Sequence, residues 1–119
     1  MNSFQEKSAQ LEERLMNFAL SIITATKTVP LTTENKIIIS QLIRSATSVG
    51  ANYAEANNAI SKQDFRNKIF IAKKEAAETK YWLTLLARVN DSVFRNELQE
   101  AQQILMILQK IVSTLKNGK

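Results

Sequence analysis

Glu75 and Glu78 are the residues whose type and spacing come closest to those of a metal-binding or acid–base site. Three positions apart in a predicted helix, the two carboxylates share one face, and Glu55 of the preceding predicted helix can approach them. Di-metal sites in helical bundles use such carboxylates, but they combine them with a histidine three residues along the helix. The chain contains no histidine. We therefore expect no metal and no cofactor at these glutamates.

Ser45 and Ser48 are the candidate nucleophiles of the chain. A serine nucleophile needs a general base, such as a lysine, and an oxyanion hole, and neither is recognisable from the spacing of residues around these two serines. Because cysteine and histidine are both absent, thiol nucleophiles and the most frequent general base are excluded as well. We expect both serines to pack between helices, and the protein to be neither an enzyme nor a binder of a small-molecule substrate.

A row of basic residues is the best candidate for binding chemistry. Lys62, Arg66, Lys73 and Lys80 follow one another at spacings of four, seven and seven, which places them within about 40° of one another on an ideal helix. Such a row, with Lys74 beside it, can follow the phosphates of a nucleic acid. The alternative is a solvated face whose charge is balanced by nearby carboxylates. Lys62, Arg66, Lys73, Lys74 and Lys80 are our predicted nucleic-acid-binding residues.

Composition is compatible with an acidic partner without requiring one. The chain has 119 residues, a net charge of +5 and a pI of about 9.6. This length predicts one domain over residues 1–119. No apolar run approaches the roughly 20 residues of a membrane span, and the polar start MNSFQEKSAQLEER does not resemble a signal peptide. We expect a cytoplasmic protein with no membrane partner.

Apolar residues recur at alternating spacings of four and three, as on the buried side of a helix. In the first predicted helix the series is Leu11, Leu15, Phe18, Ile22, Ala25 and Val29. Pro30 ends this helix, because proline lacks the N–H that a helix interior needs. The second helix is predicted to begin at Thr32 or Thr33, either of which can cap it. Its series is Ile39, Leu42, Ala46, Val49, Tyr53, Ala56 and Ile60.

Two further helices follow by the same rule. Ser61 is predicted to cap the third helix, with Asp64 three residues later as in a capping box. The apolar series of this helix is Phe65, Ile69, Ala72, Ala76, Thr79, Leu83 and Leu86. After the polar break at Asn90–Ser92, which offers further cap candidates, the fourth series is Phe94, Leu98, Ala101, Leu105, Leu108, Val112 and Leu115. The sequence thus predicts an all-α fold, an antiparallel up-down-up-down four-helix bundle.

The faces away from these series carry more small and apolar residues than a solvated surface needs. Gly50 lies inside the second helix, where glycine costs about 1 kcal/mol relative to alanine, so we expect close packing beside it. Apolar residues also lie beside the series of the third and fourth helices: Ile71, Trp82, Leu85, Val89, Ile104, Ile107 and Ile111. Several exposed apolar residues on one side favour self-association. The alternative is that they widen the core.

We predict an oligomer interface on the second and third helices. Its residues are Arg44, Ser48, Ala51, Asn52, Glu55, Glu78 and Trp82. Arg44 is expected to meet Glu75 or Glu78 across a contact, because the guanidinium suits paired hydrogen bonds with carboxylates. Trp82 and its neighbour Tyr81 offer surfaces for stacking on bases. Their apolar neighbours favour core or interface packing instead.

Two stretches, QLIRSATSVGANYAEA (residues 41–56) and SKQDFRNKIFIAKKEAAETKYWLTLL (residues 61–86), resemble the 23S rRNA intervening-sequence proteins. The family signature on the second helix corresponds to Arg44, Ser45, Ala46, Ser48, Asn52, Ala54 and Glu55. On the third helix it corresponds to Ile71, Ala72 and Glu78. The chain departs from the family pattern at Ala56, where glycine is common, and at Glu75, where serine is frequent.

This resemblance implies a small helical bundle that assembles into a ring, typically a homopentamer. Some relatives are encoded within insertions of large-subunit rRNA genes, and others are similar to the accessory protein of diversity-generating retroelements, which works with a reverse transcriptase and RNA. For most members no molecular function is established. Two interpretations therefore stay open: a ring-forming bundle that contacts RNA or a nucleoprotein, and a protein–protein scaffold without direct nucleic-acid binding.

Overall fold

The computed structural model describes residues 2–117, and this part of the chain contains four α-helices and no strand. They are α1 (Ser3–Thr26), α2 (Thr33–Asn57), α3 (Lys62–Val89) and α4 (Arg95–Asn117). The predicted four-helix bundle is confirmed. None of these helices is long and apolar enough to cross a membrane. Residues 1, 118 and 119 of the predicted domain lie outside the described part.

Local signals set where the helices begin. The Thr32 side chain caps α2 by accepting a hydrogen bond from the Asn35 N–H, and Ser61 caps α3 in the same way through Asp64. At the first helix, Asn2 and Gln5 form a capping box that the apolar pattern did not predict. The polar break at Asn90–Ser92 does not cap α4, because that helix begins later, at Arg95.

Each helix packs against the two that are adjacent to it around the bundle. The α2–α3 pair is the most closely packed, and the α1–α4 pair is the loosest. Between α2 and α3, Asn35 contacts Asn90, Ser45 contacts Thr79, and Glu55 contacts Lys68. Residue numbers thus rise along α2 as they fall along α3, as they do in two helices that run in opposite directions.

The core contains most of the predicted apolar positions, with three corrections. Ile38 is buried and Ile39 only partly so, and in α4 Ile104 is fully buried while Leu105 is not. In both places isoleucine or leucine occupies adjacent positions, so the period alone allows two choices, and contact with neighbouring helices decides between them. Ile60 was assigned to the buried series of α2 but is 95% exposed, because α2 ends at Asn57.

Gly50 packs against α1, as its place inside a helix suggested. A Cβ added at this position would lie 3.4 Å from the Cβ of Leu15, which is fully buried. This is an ordinary van der Waals distance, so the helices approach closely at this point but leave room for one methyl group.

Candidate nucleic-acid interface and assembly surface

The five predicted nucleic-acid-binding residues, which we call the basic face, all lie on α3. Lys62 and Lys74 are exposed, while Arg66, Lys73 and Lys80 are partly buried. The Lys80 ammonium donates a hydrogen bond of 2.6 Å to Oε1 of Gln102, on α4. This contact shows that the basic face borders α4.

No carboxylate neutralises the basic face within the described chain. The ion pairs of residues 2–117 involve only Arg14, Arg44 and Lys68. Glu75 and Glu78, the carboxylates nearest in sequence to Lys73 and Lys74, are turned the other way, towards α2. The basic face therefore retains its positive charge, which is the condition for attracting phosphate.

Arg44 holds both glutamates of α3. Its Nη1 lies 3.2 Å from Oε1 of Glu75, and its Nη2 pairs with Glu78. The predicted partners of Arg44 are thus confirmed, but they belong to the same chain. Glu75 is buried, and its charge is compensated by the guanidinium, as burial of a carboxylate requires.

The third carboxylate considered as a metal ligand, Glu55, has a separate partner. Its Oε1 lies 2.8 Å from the Lys68 ammonium. The hydrogen bond to Glu55, reinforced by the charge of that carboxylate, raises the pKa of Lys68. No group of three or more His, Cys, Asp or Glu side chains suited to a metal ion occurs within residues 2–117.

Ser45 and Ser48 are engaged with helix backbone. The Ser45 hydroxyl is fully buried and donates to the carbonyl of Leu42, and the Thr79 hydroxyl lies 3.0 Å from it. Ser48 donates to the carbonyl of Arg44 at 2.7 Å. The contact with Thr79 confirms the expected packing between helices for Ser45, whereas the Ser48 hydroxyl bonds only within its own helix.

Several of the predicted interface residues contact other residues of the same chain. Arg44 and Glu78 are joined in an ion pair across the α2–α3 boundary, while Glu55 pairs with Lys68 farther along the same boundary. The Asn52 amide donates to the carbonyl of Ser48 on its own helix. Much of the hydrogen-bonding capacity of this set is therefore used inside the chain.

Ala51, an exposed residue of α2, also lines a cleft of about 250 Å³ between α1 and α2 that we call the α1–α2 groove. The groove is lined by Glu12, Leu15, Met16, Ala19, Thr47, Gly50, Ala51 and Ala54. Met16 is 60% exposed, and Leu20, one helical turn further on, is 54% exposed. These α1 residues were not predicted as surface contacts, although their four-residue spacing beside the buried series was a signal.

Tyr81 and Trp82 form an aromatic pair on α3. Their rings meet edge to face, with centroids 5.0 Å apart. The Trp82 indole donates a 3.1 Å hydrogen bond to Glu78, while Tyr81 is 61% exposed. Core packing holds for Trp82, which is partly buried against the core, whereas interface packing of Tyr81 stays a prediction.

A second cleft lies between α3 and α4, on the side of the basic face. We call it the α3–α4 cleft. It measures about 490 Å³ and is lined by Phe70, Lys73, Lys74, Ala77, Val112 and Lys116. Phe70 and Lys116 were not predicted as members of this site. Phe70 lies next to the buried Ile69, and Lys116 is more than 40 positions away in the sequence, so only the fold brings the two together.

Across the bundle, α1 and α4 are joined by a two-pronged ion pair. Nε and Nη2 of Arg14 lie 2.7 and 2.8 Å from the two carboxylate oxygens of Glu100, and Nη2 also donates to Gln103. The hydrogen bond with Glu100 raises the pKa of Arg14; partial burial opposes this rise, and the charge of Glu100 adds to it. Glu100 is thereby tied to α1.

Comparison with known proteins agrees with the fold. A crystal structure from Bacteroides thetaiotaomicron VPI-5482, of a protein with unknown function from the S23 ribosomal protein family, superimposes with a TM-score of 0.79. It shares 34% sequence identity, and the alignment covers 91% of this chain and 99% of that one. No curated protein matches the chain.

The sequence profile of one family matches nearly the whole chain, over residues 7–114. This range includes the Arg44–Glu78 pair, the basic face and both helices of the α1–α2 groove. The chain therefore belongs to the 23S rRNA-intervening sequence protein family.

Proposed function

We propose that this protein is a non-enzymatic, ring-forming helical bundle that binds RNA, in the cytoplasm, through the basic face. The observation that carries the proposal is that the basic face has no carboxylate partner within residues 2–117. Arg44 draws Glu75 and Glu78 to the opposite side of α3. The alternative of a charge-balanced solvated face thereby loses two of the three carboxylates that would balance it, and only Asp64, which forms no ion pair within residues 2–117, stays beside Lys62 and Arg66.

The family description adds the class of nucleic acid. It names 23S rRNA-intervening sequences, which supports RNA as the nucleic acid bound. A homopentameric ring, the assembly that the resemblance implies, would present the basic face five times. Several weak contacts along one RNA then act together, which raises the overall affinity far above that of a single contact.

RNA binding is tested by fluorescence anisotropy with a labelled RNA over a series of salt concentrations. The variant Lys73→Glu/Lys80→Glu reverses two charges of the basic face. The matched control, Lys7→Glu/Lys36→Glu, makes the same change in net charge at two exposed residues near the starts of α1 and α2. Contacts to phosphate predict affinity that falls steeply with salt, by a logarithmic slope of about −0.7 per phosphate contacted.

The expected result is at least a roughly tenfold loss of affinity for the basic-face variant at low salt, with little change for the control, because local charge governs contact with phosphate. Absence of binding by the wild type even at low salt contradicts the proposal. Affinity that stays flat with salt does so too, as does an equal loss in the control variant.

A second candidate function, a protein scaffold without RNA contact, is favoured by the exposed residues on α3. Tyr81 is 61% exposed beside Trp82, and Val89, about two turns further on, is 48% exposed. Aromatic residues are enriched in protein interfaces. If Trp82→Ala or Arg44→Ala abolishes function in the cell while Lys73→Glu/Lys80→Glu leaves it intact, the scaffold replaces RNA binding as the function.

A further inference from the structure

The α3–α4 cleft has an apolar floor and a basic rim. Phe70, Ala77 and Val112 supply the apolar lining, and Lys73, Lys74 and Lys116 supply the charge. No carboxylate of residues 2–117 lines the cleft. Its volume, about 490 Å³, lies within the range of pockets that hold ligands. A ligand that fits this lining carries negative charge next to a flat or apolar group.

The three lysines of the cleft are free to meet such a charge. None of them forms an ion pair or a side-chain hydrogen bond with another residue of the described chain, 2–117. Lys68 on the α2 side of the same helix behaves differently, since its ammonium is held by Glu55 at 2.8 Å. The charge of Lys68, beside α2, is thus compensated by a carboxylate, whereas the charges of the three cleft lysines are not compensated within residues 2–117.

Phe70 distinguishes this cleft from a purely electrostatic surface. The ring is 38% exposed, and it lines the same cleft as the lysines. Aromatic side chains beside a positive groove are the means by which proteins hold single strands, because any base can stack on the ring while its phosphate meets a cation. Bases of a duplex are stacked on one another and cannot offer a face to the ring.

We propose that the α3–α4 cleft binds single-stranded RNA, with an unpaired base stacked on Phe70 and the adjoining phosphates on Lys73, Lys74 and Lys116. This rests on the proposed function and goes beyond it, because it makes the site selective for unpaired RNA. Tyr81 and Trp82 are less suited to the role: the indole is bonded to Glu78, and that carboxylate repels phosphate.

The test compares Phe70→Leu and Phe70→Trp in anisotropy titrations with single-stranded and duplex RNA of the same length. Leucine keeps an apolar floor but removes the aromatic plane, whereas tryptophan keeps the plane. We expect the wild type to prefer the single strand and Phe70→Leu to lose roughly tenfold or more of that affinity, as stacking on one base predicts. Phe70→Trp should retain it, and the salt dependence should stay the same in both variants, because no cation has been removed.

A matched control is Phe4→Leu, the same change at a ring that is 76% exposed on α1. A 2-aminopurine base in the single strand gives a second measurement, since its fluorescence is quenched on stacking. Quenching is expected with the wild type, Phe70→Trp and Phe4→Leu, and not with Phe70→Leu.

The two proposals fail differently. If the wild type binds no RNA at low salt, the proposed function fails and this inference with it. If RNA binds with a steep salt dependence but Phe70→Leu matches the wild type, or duplex and single strand bind equally, the stacking site is overturned while RNA binding stands. A third outcome also overturns the inference. In it, an acidic amphipathic helix displaces the bound RNA, and the quenching of 2-aminopurine is the same with Phe70→Leu as with the wild type. The cleft is then assigned to a protein partner.

Discussion

The side-chain amides of Asn35 and Asn90 face each other across the α2–α3 boundary and exchange two hydrogen bonds, of 2.8 and 2.9 Å. Asn35 is 1% exposed and also donates to the carbonyl of Pro30, while Asn90 donates to the carbonyl of Leu86. One amide pair thereby joins the turn before α2 to the end of α3. Neither the apolar period nor the capping rules drew attention to it.

Replacing Asn35 by alanine should lower the free energy of unfolding by about 1–3 kcal/mol, because buried polar partners lose their hydrogen bonds. Asn90→Ala should cost less, since Asn90 is only partly buried. A double-mutant cycle by urea denaturation should give a coupling of about 1 kcal/mol. Asn17→Ala, at an exposed residue of α1, is the control and should cost little. A coupling near zero would show that the pair does not act as a unit.

Asp91 holds a position at the end of α3 that normally favours glycine. Its φ is 50°, and the next residue, Ser92, donates through its N–H to the carbonyl of Ala87 at 2.9 Å, as in a Schellman motif. Asp91→Gly relieves about 1–2 kcal/mol of backbone strain in the folded protein. It also lowers the stability by about 0.5–1 kcal/mol, because glycine gives the unfolded chain more conformational freedom. We expect a net gain of about 0.5 kcal/mol in thermal or urea unfolding. Asp91→Ala keeps the strain and should be destabilising; a gain from alanine would contradict the explanation.

The fold was predictable because its signals are local. Caps at Thr32 and Ser61 and the break at Pro30 each act within a few residues, and the apolar period marks the buried side of every helix. The errors occurred where local signals are ambiguous. Adjacent isoleucines at 38 and 39 satisfy the period equally, and Ile60 continued it past the end of α2 because no proline or glycine marks that end.

The candidate site was predictable only as far as it lies on one helix. The spacing of Lys62 to Lys80 is a property of α3 alone, and so the basic face was found from sequence. The loss of its compensating charges depends on Arg44, and the α3–α4 cleft depends on Val112 and Lys116. These relationships join residues separated by 30 positions or more, and no spacing rule within one helix can reveal them.

Gly50→Ala should stabilise the protein. Alanine in a helix interior is favoured over glycine by about 1 kcal/mol, and the new methyl group would meet the Cβ of Leu15 at 3.4 Å, an ordinary contact. We expect the free energy of unfolding to rise by about 0.5–1 kcal/mol in urea denaturation. The control is the reverse change at the next position, Ala51→Gly, which should cost a similar amount. A loss of stability in Gly50→Ala would show that this contact between α1 and α2 tolerates no added atom.

The proposed ring makes a separate prediction for the α1–α2 groove. Its exposed residues, Met16, Thr47 and Ala51, have no neighbour within the described chain that covers them, and small residues allow a second copy to approach closely. If another copy covers Ala51, Ala51→Glu places an unpaired charge in that contact, and such burial costs several kcal/mol. We expect the variant to dissociate to monomers in light scattering at tens of micromolar.

The unfolding transition of the Ala51→Glu monomer should remain cooperative, because the substituted side chain is exposed in the single chain. Ser113→Glu makes the same addition of charge at an exposed residue of α4 and should leave the assembly intact. A wild type that is monomeric at the same concentration contradicts the ring. A ring that survives Ala51→Glu removes the α1–α2 groove from the interface and leaves the residues along the α2–α3 boundary, Arg44 and Trp82 among them, to form it.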